Sequence, residues 1–302
     1  MNEPLRDYIK VGFVHFMGWP ECMGGAGPIL ETIAKLAVDP FFEVIELTRI
    51  NDPAERDQVV AVLNGAGVEM GFGAQPILLG GDLDLNHADD ADRRSAVDAV
   101  KAGVDQASAM GIEAVGVLSG RPSEDKASAM QRLIDSLNEL CTYAEERDCR
   151  MVLETFDQLS FGKNCLIGPT VDAVEASEAV RAEHPAFGLL LDLSHLPLIG
   201  ETSREAIDAA GEHLVHVHIG NCAMDDPEHP AYGDNHPRFG APGTRNDVPE
   251  LTEFLRVLLD TGYLSASERK VVSFEVKPMP GETAEFIIED SKRALEEAWE
   301  QV

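Results

Sequence analysis

A single-domain (β/α)8 barrel over residues 1–302 is the fold class this sequence predicts, and three observations predict it. Near-continuous apolar runs of strand length alternate with helical patterns from one end of the chain to the other, and the count reaches eight pairs. A chain of 302 residues with 44% hydrophobic content can bury a large core and is long for one compact domain unless the architecture is a barrel. No linker, low-complexity tract or repeat other than the strand-helix period interrupts it. Eight parallel strands covered by helices on their outer face close most naturally into a barrel. A doubly wound open sheet competes, but a dinucleotide-binding version would carry a Gly-rich turn directly after its first strand. Here Gly24, Gly25 and Gly27 follow only after a gap.

Taken in order, the apolar run Ile9 to Met17 predicts the first strand, and Ile29 to Val38 a helix. Phe42 to Thr48 reads as the second strand, Asp52 to Ala66 as a helix, and Val68 to Gln75 as the third strand. A long helical period spans Ala88 to Met110, the fourth strand Ile112 to Ser119, and the next helix Ser123 to Asp148, opened by a serine with an acid in its first turn. Arg150 to Phe156 predicts a strand, and Pro169 to Glu183 a helix that begins on proline. Phe187 to Leu193, Leu214 to Ile219 and Lys270 to Lys277 complete the strands. Helices are expected near Ser203 to Glu212, Asp247 to Thr261, and from Thr283 to the C-terminus.

Charge and composition narrow the function. Fifty-four acidic against 24 basic residues give a formal charge of −30, which repels a phosphate backbone and argues against nucleic acid as a partner. The acidic excess is spread along the chain, as in a solvated acidic surface. The five cysteines are odd in number and irregularly spaced, which predicts reduced thiols rather than a disulfide framework or a zinc site. With no leader pattern and no membrane-length apolar run, the expectation is a cytoplasmic protein without a membrane partner.

In such barrels the residues at the C-terminal strand ends line the active site. Four strands of the second half place a carboxylate or histidine there: Glu154 after MVL, Asp192 after LLL, His218 after VHV and Glu275 after VSF. A single strand-end acid is ordinarily a solvated rim residue. Three carboxylates and an imidazole side by side would cost several kcal/mol through desolvation and repulsion unless a cation neutralised them. One divalent metal ion is therefore expected. Oxygen-rich ligation with one nitrogen suits Mn²⁺ best, with Mg²⁺, Co²⁺ or Zn²⁺ as alternatives.

The succession LET at Glu154, DLSH at Asp192 and His195, HVHIGN at His218 and FEVK at Glu275 resembles the xylose-isomerase-like barrel superfamily, the group of sugar isomerases and epimerases that also holds inosose dehydratases and endonuclease IV. The resemblance covers nearly the whole chain as a fold pattern, and its motifs lie between Glu154 and Glu275. It implies that Glu154, Asp192, His218 and Glu275 hold the metal. It selects His218 over His216, which shares its strand face one layer deeper and reads as a hydrogen-bonded core residue. It makes His195 of the DxxH pattern a substrate or neighbouring contact. The Pro- and Gly-rich segment 221–246 is expected to be a loop over the site, in which Asp234 and His236 resemble the family's D-x-H element and Arg238 a substrate-oxygen contact; an exposed polar loop is the alternative. Endonuclease IV relatives add histidines after the third and fourth strands, where this chain has Gln75 and Leu118 or Ser119. That departure sets phosphodiester cleavage aside.

The activity the resemblance implies is isomerisation or epimerisation of a sugar or keto-sugar through an enediolate, with Glu154 and Glu275 as the proton-transfer pair. Lys277, on the face of Glu275, either holds substrate oxygens or is a charged strand end. His15 and Trp19 either line the sugar pocket or pack near the barrel mouth. The main rival is a lyase on the same scaffold: a dehydratase, a hydratase or an enzyme that cleaves C-glycosides of keto-sugars. A non-catalytic sugar-binding barrel is the rival from another class. No phosphate-cradling turn follows strands seven or eight, which favours an unphosphorylated substrate. The family's habit of self-association implies a homo-oligomer.

Overall fold

Apolar side chains on both faces of a strand leave its backbone to be satisfied by neighbours on either side, and a closed parallel sheet does this for all eight runs. In a computed structural model, which describes residues 3–302, the strands are β1 (Ile9–Val14), β2 (Val44–Leu47), β3 (Glu69–Gly73), β4 (Ala114–Leu118), β5 (Arg150–Glu154), β6 (Gly188–Asp192), β7 (Leu214–Ile219) and β8 (Lys270–Phe274). They follow one another around the sheet in chain order, and β8 closes it by pairing with β1 from Ile9↔Lys270 to Phe13↔Phe274. Outward positions such as Phe13, Ile45, Leu153, Leu191, Val217 and Phe274 are fully buried in one continuous core under the helices. Each such side chain contributes roughly 1.5–3 kcal/mol of transfer free energy.

The helices begin and end for local reasons. Asp52 accepts from Ala54 N (2.9 Å) to cap Pro53–Ala66, and Gly67, at φ 72°, ends that helix in the left-handed region. Helix Lys126–Glu145 is capped by Asp125, whose carboxylate accepts from Ser128 N (3.1 Å), and not by Ser123 as the sequence suggested. A carboxylate two residues later outcompetes the serine because it also carries charge complementary to the helix dipole.

Two strands stop short of the apolar runs that announce them. β1 ends at Val14, and His15–Gly18 forms one helical turn; β3 ends at Gly73, and Gln75–Gly80 turns helical behind Pro76. Apolarity reports burial rather than backbone period, so a buried turn at the barrel mouth reads like more strand.

Inward-facing positions decide the shape of the interior. Barrels of this type are ordinarily filled by layers of branched side chains. Here β3 and β4 present Gly71, Gly73, Ala114 and Gly116 to a cavity of about 520 Å³ that opens at the C-terminal strand ends. The small residues keep this side hollow, while charged residues of β5 to β8 occupy the other.

Candidate metal centre and active site

Glu154, Asp192, His218 and Glu275 converge at the mouth of the barrel. One ligand atom from each lies within 4.8 Å of the others. Strand register produces the convergence: Asp192 pairs with His218 across β6 and β7, while Glu154 ends β5 beside Leu190. His218 Nδ1 is 2.6 Å from Glu275 Oε2 and 3.9 Å from Glu154 Oε1. Asp192 Oδ1 accepts from Ser194 N (2.7 Å) and its Oδ2 has no hydrogen-bond partner; Glu154 Oε2 accepts from Gln75 Nε2 (2.7 Å) and its Oε1 likewise has none. A buried polar atom without a partner costs about 1–3 kcal/mol. Two orphaned carboxylate oxygens facing one point beside an imidazole nitrogen are what a divalent cation would satisfy, so the residues fit the expected ion.

Burial and neighbouring charge separate the titrations of the four. Burial pushes Glu154 up to about 8, and the nearby Glu275 carboxylate adds to the shift. Burial acts on Glu275 in the same direction, but His236 and His218 outweigh it and bring that carboxyl down to about 2. Asp192 is raised, chiefly by burial. His218 goes the other way from a plain buried histidine: burial disfavours its charge, yet Glu46 and Glu275 hold it well above its ordinary value. One carboxyl poised to carry a proton beside one held ionised is the arrangement expected of an acid-base pair.

A second cluster borders the first. Asp234 Oδ1 lies 2.8 Å from His236 Nε2 and 3.2 Å from His195 Nε2, and Lys163 Nζ is 3.5 Å from its Oδ2. His195 Nδ1 donates to Thr155 O (2.7 Å), which leaves Nε2 for Asp234 and fixes the ring. Asp192, His195 and His236 themselves could form a three-ligand group. His236 holds a left-handed backbone (φ 48°), strain that a non-glycine residue tolerates only when its surroundings impose it. The imposition is visible: Lys277 N donates to His236 O (2.7 Å), and His236 Nδ1 lies 3.2 Å from Glu275 O. Segment 221–246 is largely irregular, as its Pro and Gly content predicted, and brings Asp234, Asn235 and His236 to the cavity wall.

The other residues singled out in the sequence divide in two. His236 and Lys277 line the cavity, whereas His195 is buried behind it against Asp234. His15 lies outside the cavity lining: its ring stacks on Trp19 (5.4 Å) and Nε2 is 2.7 Å from Thr32 Oγ1, and burial lowers it to about 3. Arg238 also faces away, its Nε 3.0 Å from Glu282 and its Nη1 3.6 Å from Asp290. His216 is hydrogen-bonded one layer below His218, 2.8 Å from Glu46 Oε1, but it is half-buried and lines the cavity rather than packing in the core, because the inward face of the strand opens on the hollow interior.

Glu46 and Lys163 line the cavity without having been recognised in the sequence. The run FEVIELT carries two acids, Glu43 and Glu46, on opposite faces of the strand, and nothing in the pattern says which face is inward. Nothing local marks Lys163. Around the far wall Phe16, Met17, Met23, Phe72 and Leu79 make an apolar half, with Arg49 at its edge.

Residues 36–298 match the family model of the xylose isomerase-like TIM barrel. No curated protein sequence matches the chain. Among solved structures, the D-psicose 3-epimerase of Clostridium cellulolyticum H10 with D-tagatose superposes with a TM-score of 0.71 at 19% identity, covering 97% of both chains. The apo 3-keto-D-glucoside 4-epimerase YcjR of E. coli does so with a TM-score of 0.68 at 15% identity, over 95% of this chain and 98% of that one. The IOLI protein with a binding zinc atom gives 0.71 at 17% identity, over 96% and 98%.

Proposed function

This chain belongs to the xylose isomerase-like TIM barrel family, and from that premise we propose that it is a divalent-metal-dependent epimerase or isomerase of sugars and keto-sugars. The observation that carries the reading is the convergence of Glu154, Asp192, His218 and Glu275 with two buried carboxylate oxygens left unpartnered. Sugar epimerases among the structures of like fold, including the D-psicose 3-epimerase and the 3-keto-D-glucoside 4-epimerase, support it.

The four residues hold the cation, for which we favour manganese. When bound, it supplies Lewis-acid polarisation of the substrate's carbonyl and adjacent hydroxyl oxygens, which acidifies the neighbouring C–H. Glu275, kept ionised by His236 and His218, would accept that proton, and Glu154, once it has taken up a proton again after the cation is in place, would return one to the opposite face. The reverse reaction exchanges their roles. Gln75 steadies Glu154, and Lys277 and Lys163, both on the cavity wall, offer cationic donors to substrate oxygens. The loop 221–246 keeps bulk water from the proton between transfers.

A second reading keeps the first proton transfer and ends in elimination. A substituent β to the carbonyl leaves with its bonding electrons as the new C=C forms, and the second glutamate protonates it. The apolar wall of Phe16, Met17, Met23 and Leu79 favours this reading, because it suits a departing aryl or alkyl group better than a hydroxylated sugar tail.

Incubation with free ketoses and 3-keto-glycosides in D₂O, followed by NMR, tests both. Deuterium appearing beside the carbonyl with the carbon skeleton intact supports epimerisation. Release of aglycone or water supports the lyase, and neither outcome with any substrate would count against both.

A further inference from the structure

We infer that Glu46 is the positioning residue of the metal centre: it holds His218 with Nε2–H turned down into the barrel and Nδ1 open towards Glu154, Asp192 and Glu275. The inference rests on the reading that these four residues hold a divalent cation. Glu46 lies on β2, three strands from β7 around the barrel through β8 and β1, yet its two carboxylate oxygens divide between the histidines of HVH: Oε2 is 3.1 Å from His218 Nε2, and Oε1 is 2.8 Å from His216 Nε2. Each oxygen accepts one imidazole N–H. The hydrogen bond at Nε2 keeps a proton on that atom, so that the proton His218 gives up to a cation comes from Nδ1, which now donates to Glu275 (2.6 Å) and faces the carboxylates.

A carboxylate that receives the second N–H of a ligand histidine sets both ring orientation and ligand basicity. His216 anchors the other oxygen, which stops the Glu46 carboxylate from rotating towards the ion itself.

The barrel wall is cut to admit this side chain. Glu46 pairs in register with Gly71 of β3, and a Cβ added at Gly71 would stand 3.0 Å from Glu46 Cγ. A parallel notch serves Glu154. Gly73 and Gly116 face each other in register, and Cβ atoms there would fall 2.8 Å from Gln75 Oε1 and 2.9 Å from Gln75 Nε2, the nitrogen that donates to Glu154. The hollow side of the interior thus holds two supporting side chains, Glu46 for the imidazole ligand and Gln75 for the first carboxylate.

The test is a Co²⁺ titration of metal-free wild type, Glu46→Ala, Glu46→Gln and Asp192→Asn, reading affinity and the cobalt absorption spectrum, with far-UV circular dichroism and a melting curve to establish folding. Wild type binds one Co²⁺ per chain. We expect Glu46→Ala to weaken binding roughly 10- to 100-fold and to shift the cobalt bands, as loss of a ligand's supporting carboxylate does. Glu46→Gln keeps an oxygen for His218 Nε2–H and recovers most of the affinity and the wild-type spectrum. A purely structural role for Glu46 would move the melting curve and leave the cobalt bands in place. If Glu46→Ala and Glu46→Gln both match wild type in affinity and spectrum while Asp192→Asn does not, the positioning role is overturned and the metal centre stands. If wild type binds no stoichiometric Co²⁺, the metal reading itself has failed. If Glu46→Ala does not fold, Glu46→Gln decides: with an ordered Nε2–H partner retained, a spectrum unlike wild type overturns the proposal.

Discussion

If Glu154, Asp192, His218 and Glu275 hold a cation as proposed, loading the metal-free protein displaces protons, and the number follows from the separated titrations of these residues. With Glu154 raised to about 8, about 0.9 of that carboxyl is protonated at pH 7 and about 0.1 at pH 9. His218 is held well above its ordinary value by Glu46 and Glu275 against the effect of burial, so it too gives up a proton before Nδ1 can bind a metal. Binding Mn²⁺ at pH 7 should therefore release between one and two protons per ion, and the number should fall by about 0.8 on going to pH 9 as Glu154 ionises beforehand. Titration calorimetry in buffers of different ionisation enthalpy reads the count as the slope of observed against buffer enthalpy. The affinity should rise with pH over the same interval, about tenfold per unit for each proton displaced. A slope of zero at pH 7, or one that does not change between pH 7 and pH 9, would refute the assignment of Glu154 as a buried, raised carboxyl in the ligand set.

Glu154→Gln should leave a folded protein with less than about 1% of wild-type turnover and modestly weakened metal binding, since the amide oxygen can ligate but carries no proton between faces; steady-state kinetics and metal content check this. The same substitution should reveal the linkage in melting curves of the metal-free forms. A carboxyl whose folded value is raised stabilises fully below the unfolded value near 4.5, and that contribution drains away as pH rises to about 8, so above pH 8 Glu154→Gln should melt higher than wild type. Asp192→Asn and His218→Ala should each lower metal affinity at least roughly tenfold, measured after dialysis against chelator, and unchanged content would show the ligand set to be wrong. Gly116→Ala places a methyl 2.9 Å from Gln75 Nε2. Overpacking of this kind costs about 1–3 kcal/mol, and the displaced amide should lower kcat more than it raises KM.

The converging residues Glu154, Asp192, His218 and Glu275 were legible because a parallel barrel converts a simple one-dimensional pattern into a ring. An acid or histidine at the end of an apolar run has one place to go, and four such ends in β5 to β8 meet. The Asp234 cluster was readable only through its likeness to a D-x-H element, since loop geometry carries no period. Glu46 was passed over because FEVIELT puts an acid on each face of a short strand, and only the closed barrel shows that the face of Glu46 is the inward one, where Gly71 beside it leaves room. Arg238 illustrates the opposite failure. Its partners Glu282 and Asp290 lie about fifty residues away, before and within the last helix, Ala284–Gln301, a pairing that no local pattern announces. Of the two readings open for His15, packing near the barrel mouth is the one seen: β1 ends at Val14, and the turn that follows rotates the ring onto Trp19 and Thr32.

The measurement that bears most directly on the central claim is turnover in D₂O by the purified enzyme before chelation, after chelation, and after Mn²⁺ is restored, with metal content determined on each sample. The account predicts one divalent ion per chain, deuterium entering beside the carbonyl of a ketose or 3-keto-glycoside, loss of exchange on chelation, and its return with Mn²⁺. Exchange that persists at full rate in protein shown to be free of divalent metal would contradict it.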